Sequence, residues 1–362
     1  MISRRSILRT AGAAASLSLF APAIARAKSQ EVNIMTYAGH VPDAFKAKFE
    51  AETGITLNIR IVADQGKQFN TMVTETSSPV TDICTVAAHR IPQFRGSDLL
   101  APVDVSRLPG WSALNPIYSE ADWLKADGDV WSVPVALGAT GLGSNPDLVS
   151  EEDGSSWGSL FNEAFAGRVS YVVLDAISLA IAYQGNDITF NSYIDDRAKA
   201  QDVVNQARDF VIANKGILLK YTESSTEQQQ LFINDEIDVG QISFGEAARL
   251  LNGEMPFRFR IPKEGTFGFV RSLGIARHAP NAEAAYTFLD AFLSEPEIGT
   301  QIARSSGSLP TFSGFADPMT EAEKAIFAFS DEDLKRIHFE SPTASGLKYE
   351  LIDVAVAEIK AS

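Results

Sequence analysis

Beyond residue 30 the hydrophobic positions switch repeatedly between a period of two and a period near four. Glu31-Val-Asn-Ile-Met-Thr-Tyr37 alternates polar and apolar residues, which predicts a short strand ending in the loop Tyr37-Ala-Gly-His40. After Val41-Pro42-Asp43, Phe45 and Phe49 stand four apart, which predicts a helix with one buried face that stops at Gly54. Ile55 to Ile61 alternates again as a second strand, residues 65 to 75 read as a helix, and Asp82-Ile-Cys-Thr-Val86 as a third strand. A β-α-β-α-β order implies a parallel sheet with covering helices.

The middle of the chain is extended and glycine-rich, through Trp131-Ser-Val-Pro134 and Leu137-Gly-Ala-Thr-Gly-Leu-Gly-Ser-Asn145, as expected where a strand crosses between two lobes. A second α/β stretch starts near Ser156-Trp157. It contains a strand at Gly167 to Val173, an amphipathic helix from Arg197 to about Ala213, and strands at Ile237 to Ile242 and Arg258 to Pro262. Ser272-Leu-Gly-Ile-Ala276 reads as a return strand and Ala282 to Leu293 as a helix. The expected fold class is α/β with two lobes joined by crossing strands. Residues 28–138 with about 273–310 would form the first lobe, and about 139–272 with 311–362 the second.

The N-terminus adds a destination. Ser3-Arg4-Arg5-Ser6 precedes a weakly apolar run from Thr10 to Ile24, and Ala25-Arg26-Ala27 supplies a small-x-small cut before Lys28. That is the layout of a secretory signal over residues 1–27, with an arginine pair of the twin-arginine type. Lys28 after the cut gives no lipid-attachment cysteine, and no later run approaches a membrane span of ~18 apolar residues. The expectation is a protein free in the periplasm. The whole chain carries a net charge of −15, and the signal holds four arginines and no acid, so the cut leaves about −19. Such a chain repels nucleic acid and anionic lipid. With Cys84 as its sole cysteine no internal disulfide is possible, and Cys84 reads as a small buried residue of a strand.

Catalytic and cofactor motifs are missing. Gly138-Ala-Thr-Gly141-Leu-Gly143 lacks the Gly-Lys-Ser/Thr ending of a phosphate loop and reads as a flexible crossing. There is no Gly-x-Ser-x-Gly, no His-Glu-x-x-His and no Cys/His metal spacing. Of four scattered histidines, His40 and His89 follow predicted strands and so point to one sheet edge, as polar lining rather than metal ligands. The expectation is a protein without catalysis, cofactor or metal.

Taken in order, Tyr37-x-x-His40-Val-Pro42, Glu52-Thr-Gly54-Ile, Trp131-Ser-Val-Pro134, Gly138-Ala-Thr, Asn145, Ser156-Trp157 and Pro262-Lys-Glu-Gly265 resemble the substrate-binding proteins of bacterial ABC importers, in the spermidine/putrescine-binding branch. The resemblance runs from about residue 31 to the C-terminal helix. It implies a type II periplasmic binding fold, a monomer that closes on a small solute and delivers it to a permease and its ATPase. Polyamine binders of this kind sandwich an alkyl chain between aromatic rings and hold ammonium groups with carboxylates. Tyr37 falls at an aromatic cleft position and Asp175 at an amine-binding acid. A second expected acid is Ser178, an expected tryptophan is Ser243 with Phe244 beside it, and after Phe269 an expected aspartate is Arg271.

An arginine in place of a cleft aspartate turns the charge toward an anion, unless Arg271 pairs with an internal acid such as Asp175 or Glu246. The reading is therefore a small organic anion or zwitterion. Arg271 would clamp the anion, Asp175 an amine if present, and Tyr37, Phe244 and Phe269 would cover the apolar part. His40, His89 and Ser243 would add polar contacts. Tyr221-Thr-Glu223-Ser224-Ser225 offers either further contacts or a serine-capped helix start, and Gly307-Ser308-Leu-Pro310 would lie at the lobe junction. The rivals are a polyamine binder, an exported periplasmic enzyme, and a ferric-ion binder, the last weakened by the lack of an adjacent tyrosine pair.

Overall fold

A computed structural model describes residues 31–62, 65–253 and 255–362. The export signal read at residues 1–27 lies outside them. The first strand, Glu31–Thr36, pairs in parallel with Thr56–Ile61 on one side and Ile83–Ala87 on the other. Helix Asp43–Thr53 joins the first two strands, burying Phe45 and Phe49, and Gly54 ends it in the left-handed conformation at φ 70°. The sequence pattern predicted these elements because a single face is buried and the stop residue tolerates positive φ.

Two long antiparallel strands carry the sheet from one half to the other. Val133–Ser144 pairs through its first half with Thr266–Ile275, and through its second half with Val239–Ser243. Val239–Ser243 in turn pairs with Val169–Val172, and that with Leu218–Thr222. Thr266–Ile275 also pairs with Ile83–Ala87, so the first half is closed by the returning chain. This is a mixed α/β architecture, each half a sheet flanked by helices.

Two details depart from the expectation. The return strand begins at Thr266 rather than Ser272, because Gly268 to Arg271 continue the pairing with the crossing strand and Thr266 and Phe267 pair with Ile337 and His338, and a register shift falls at Arg271/Ser272. The glycine cluster is not a flexible crossing but part of a packed twelve-residue strand. A Cβ at Gly138 would lie 2.1 Å from the Phe269 ring, at Gly141 2.3 Å from Phe259, and at Gly143 2.8 Å from Phe257. Missing side chains there make room for three aromatic rings.

Hydrophobic cores in both halves and at their junction hold the frame. In the first half, Phe45, Phe49, Phe288 and Phe292 interlock edge-on and stacked, with ring centroids 5.2 to 5.9 Å apart. In the second half, Trp157, Tyr171 and the buried helix Ala176–Tyr183 pack with Leu351, Ile352, Ala355 and Ile359 of the last helix, Pro342–Ala361. Between them Leu137, Ala139, Phe244, Phe259, Leu309 and Ile337 form a junction core. Cys84 is fully buried, which pushes its thiol up to about 12.

Candidate functional site

The strand ends of the second half, the two crossing strands and the end of helix Ile298–Ser306 bound a cleft of about 380 Å³. Its walls include Ser225 and Thr226, Ser243 to Glu246, Phe269, Arg271, Ser306 and Ser308. The placement follows from the fold, since loops that follow the strands of an open α/β sheet gather at one edge.

Arg271 dominates this space. Its guanidinium carbon stands 4.7 Å from the Tyr37 ring centroid and 4.8 Å from that of Phe269, so two aromatic faces hold the planar fork. Among the described residues no carboxylate lies within ion-pair distance of it. Glu246 acts on it only through its field and is bonded instead to Arg249, 3.2 Å away. Asp175, the other internal acid considered, accepts from Gln241 Nε2 at 2.9 Å. Burial therefore lowers the Arg271 pKa, offset only in part by Tyr37 and Glu246. A buried guanidinium without a counter-ion is costly to the empty protein and draws an anion.

Backbone groups face the same space. Helix Ser225–Ile233 and helix Phe244–Leu251 both begin at the cleft wall, and a helix start presents free N–H groups and the positive end of its dipole. Ser224 caps the first, accepting from Glu227 N at 3.2 Å, so the serine run there is a helix cap whose next residues reach the cleft. Ser225 Oγ accepts from Ser243 N at 2.7 Å, tying the two helix starts together. Ser308 lies at the cleft because Leu309–Pro310 pairs with Leu137 and Ala136 of the crossing strand.

Tyr37 and His40 sit behind Arg271. The tyrosine hydroxyl accepts from Gln65 Nε2 at 3.1 Å, while Gln65 Oε1 accepts from Ala87 N at 3.0 Å. The His40 ring meets Tyr37 edge-on at 5.6 Å, and both its nitrogens are buried without a hydrogen-bond partner. Burial, helped by the Arg271 charge, lowers its pKa to about 3. Neutral His40 can thus donate one hydrogen bond and accept another. The folded pKa lies below the unfolded one, so stability is fully present above about pH 6.5 and is lost as pH falls toward 3. At pH 4.5 wild type should have lost about 2–3 kcal/mol that His40→Gln does not lose, read as the difference between urea unfolding curves at pH 7.5 and 4.5.

The remaining expected residues divide into two groups. Ser243 lines the cleft, whereas the Phe244 ring is 1% exposed among Phe259, Phe327 and Phe329, and so backs the wall. His89 and Asp175 belong to a separate cluster. Burial lowers the His89 pKa, with the Glu340 field opposing, and burial raises that of Asp175 to about 6 against the pull of Lys348 and Gln241. His40 and His89 therefore have different neighbours. Sequence reasoning missed Gln65, Thr226, Gly245, Ser306, Glu340 and Lys348. Only Lys348 left a visible signal, a charge on the buried stripe Ala344, Lys348, Ile352, Ala355, Ile359 of the last helix.

Comparison with known proteins agrees with this frame. Residues 44–328 match the family described as bacterial extracellular solute-binding protein. The chain belongs to that family. Spermidine/putrescine-binding periplasmic protein 1 of Haemophilus influenzae is 23% identical over 339 residues, covering 89% of this chain and 87% of that protein. The solved spermidine/putrescine ABC transporter substrate-binding protein PotD of Streptococcus pneumoniae superimposes with a TM-score of 0.75 at 18% identity, covering 91% and 100% of the two chains. The solved Atu4243 GABA receptor superimposes with a TM-score of 0.67 at 20% identity, covering 92% and 97%. Like its relatives in the polyamine-binding branch, this solute-binding protein is a periplasmic binder and not an enzyme, with the type II periplasmic binding fold. No helix among the described residues is long and apolar enough to cross a membrane.

Proposed function

We propose that this solute-binding protein serves an ABC importer as a monomer, capturing a small organic anion or zwitterion and delivering it to the permease and its ATPase. The observation that carries the ligand class is Arg271, held between two rings, without a carboxylate partner among the described residues, and facing a cleft walled by two helix starts. A carboxylate or phosphonate there meets a planar fork, free backbone N–H groups and the hydroxyls of Ser225, Thr226, Ser243, Ser306 and Ser308. Phe269 covers the adjoining apolar part, and Tyr37 backs the guanidinium. The fold is compatible with a ligand that carries a carboxylate, since the structurally similar GABA receptor is named for a zwitterion.

The relatives named for spermidine and putrescine support the rival, a polyamine binder. Against it stands the electrostatics, because a dication entering this cleft would meet Arg271 with no acid bonded to it among the described residues. A thermal-shift screen against amines, amino acids, dicarboxylates and phosphonates separates the two. Anionic or zwitterionic solutes are expected to raise Tm, and a rise confined to polyamines would overturn the proposal.

Delivery is proposed to use the twin-arginine route, on the strength of Arg4-Arg5 ahead of the weakly apolar run. Arg4→Lys with Arg5→Lys is expected to leave the precursor in the cytoplasm, read by cell fractionation. Normal export of that variant would remove the twin-arginine reading without touching the binding one.

A further inference from the structure

Lys348 is a lysine where the last helix presents its apolar stripe. Its side chain is only 4% exposed, and its ammonium stands 3.2 Å from Glu340 Oε2. The same ammonium lies 5.1 Å from the Phe267 ring centroid, and Asp175 and His89 both lie in its field. Glu340 Oε2 is buried and makes no hydrogen bond, so the ion pair with Lys348 is what compensates it. A primary ammonium on an aromatic face against a buried carboxylate is the arrangement by which a protein recognises a free amine.

The place of this cluster connects it to the cleft. Phe267, Phe269 and Arg271 alternate along one strand and so share one of its faces. That face carries Arg271 against Phe269 at one end and Lys348 against Phe267 about 13 Å along, four residues away at ~3.3 Å each. The acids at the far end are thus already engaged by the chain itself.

We propose that Lys348 is a built-in occupant of an amine subsite, filling between Glu340 and Phe267 the position that a solute's primary amine would take. The lysine keeps that position, next along the strand face from the cleft residue Phe269, closed to cationic solutes and leaves the cleft, at Arg271, to select an anion. The inference adds a specificity residue to the proposed function and rests on that reading of the cleft. Its test does not need the natural solute.

Lys348→Ala removes three methylenes and the ammonium, and n-propylamine matches the missing part. Purified Lys348→Ala protein is expected to show a saturable rise in Tm with n-propylamine, absent with n-propanol or with sodium chloride at equal ionic strength. Wild type is expected to show no such rise, and Lys348→Ala/Glu340→Gln a much weaker one. Should Lys348→Ala not fold in buffer, recovery of folded protein on refolding with n-propylamine, but not with sodium chloride, gives the same reading. Absence of any amine-specific effect on the variant would overturn the proposal, as would an equal effect on wild type. Loss of anion binding in Arg271 variants leaves this outcome unchanged, so the two proposals fail separately.

Discussion

Arg271→Ala is expected to cost the protein roughly 2–5 kcal/mol of affinity for its anionic solute, about 30-fold to several thousand-fold in Kd. The argument rests on what the guanidinium lacks. It has two aromatic faces and, among the described residues, no bonded carboxylate, which leaves its hydrogen-bonding fork to the ligand. Burial opposes its charge in the empty protein. Removing it should therefore leave the Tm of the empty protein unchanged or raised while binding is lost. Arg271→Lys should fall between, since an ammonium keeps the charge but neither stacks nor grips a carboxylate with two parallel bonds. Calorimetric titration with the anion found by screening, beside melting curves of both variants, checks this. Lower Tm together with lower affinity would make Arg271 a structural residue.

The second large effect is on stability. Trp157 is fully buried in the second-half core, and its Nε1 donates to Gly265 O at 2.9 Å. Glu264 fastens the same junction from the other side, accepting from Trp157 N at 3.2 Å and from Ser156 Oγ. Trp157→Ala combines a large cavity with an unsatisfied carbonyl and is expected to destabilise by about 3–5 kcal/mol. Because Gly265 immediately precedes the strand that carries Phe269 and Arg271, the variant should also bind its solute less tightly at temperatures where it is folded. Urea unfolding followed by fluorescence, paired with titration, reads both. A loss below about 1 kcal/mol would mean that the site collapses around the missing ring or that the ring bears little load.

What could be read in the chain, and what could not, follows from the range of the interactions involved. Phe45 and Phe49 announced a helix because a one-sided burial pattern is local. Arg271 announced itself by replacing an acid at a recognised position. The packing of Phe269, Phe259 and Phe257 over Gly138, Gly141 and Gly143 was not legible, since each pair joins residues more than a hundred positions apart. The glycines therefore looked like flexibility. Phe244 looked like a cleft aromatic because it adjoins Ser243, the position of an expected tryptophan, yet three other phenylalanines draw the ring into the junction core. Ser225 and Thr226 reach the cleft only because Leu218–Thr222 is placed at the sheet's edge by pairing with Val169–Val172. Lys348 was legible in principle, as a charge at helical spacing within an apolar stripe. Its partners Glu340 and Phe267 come from separate elements and could not be read beforehand.

The central claim is that the cleft selects by a negative end group. Three solutes of one chain length isolate that variable: 1,4-diaminobutane, 4-aminobutanoate and butanedioate, titrated calorimetrically into wild-type protein at low and moderate salt. Binding of one or both carboxylates, weakened in Arg271→Ala, with no heat from the diamine, is the predicted result. Binding of the diamine alone, unaffected by Arg271→Ala, would contradict it.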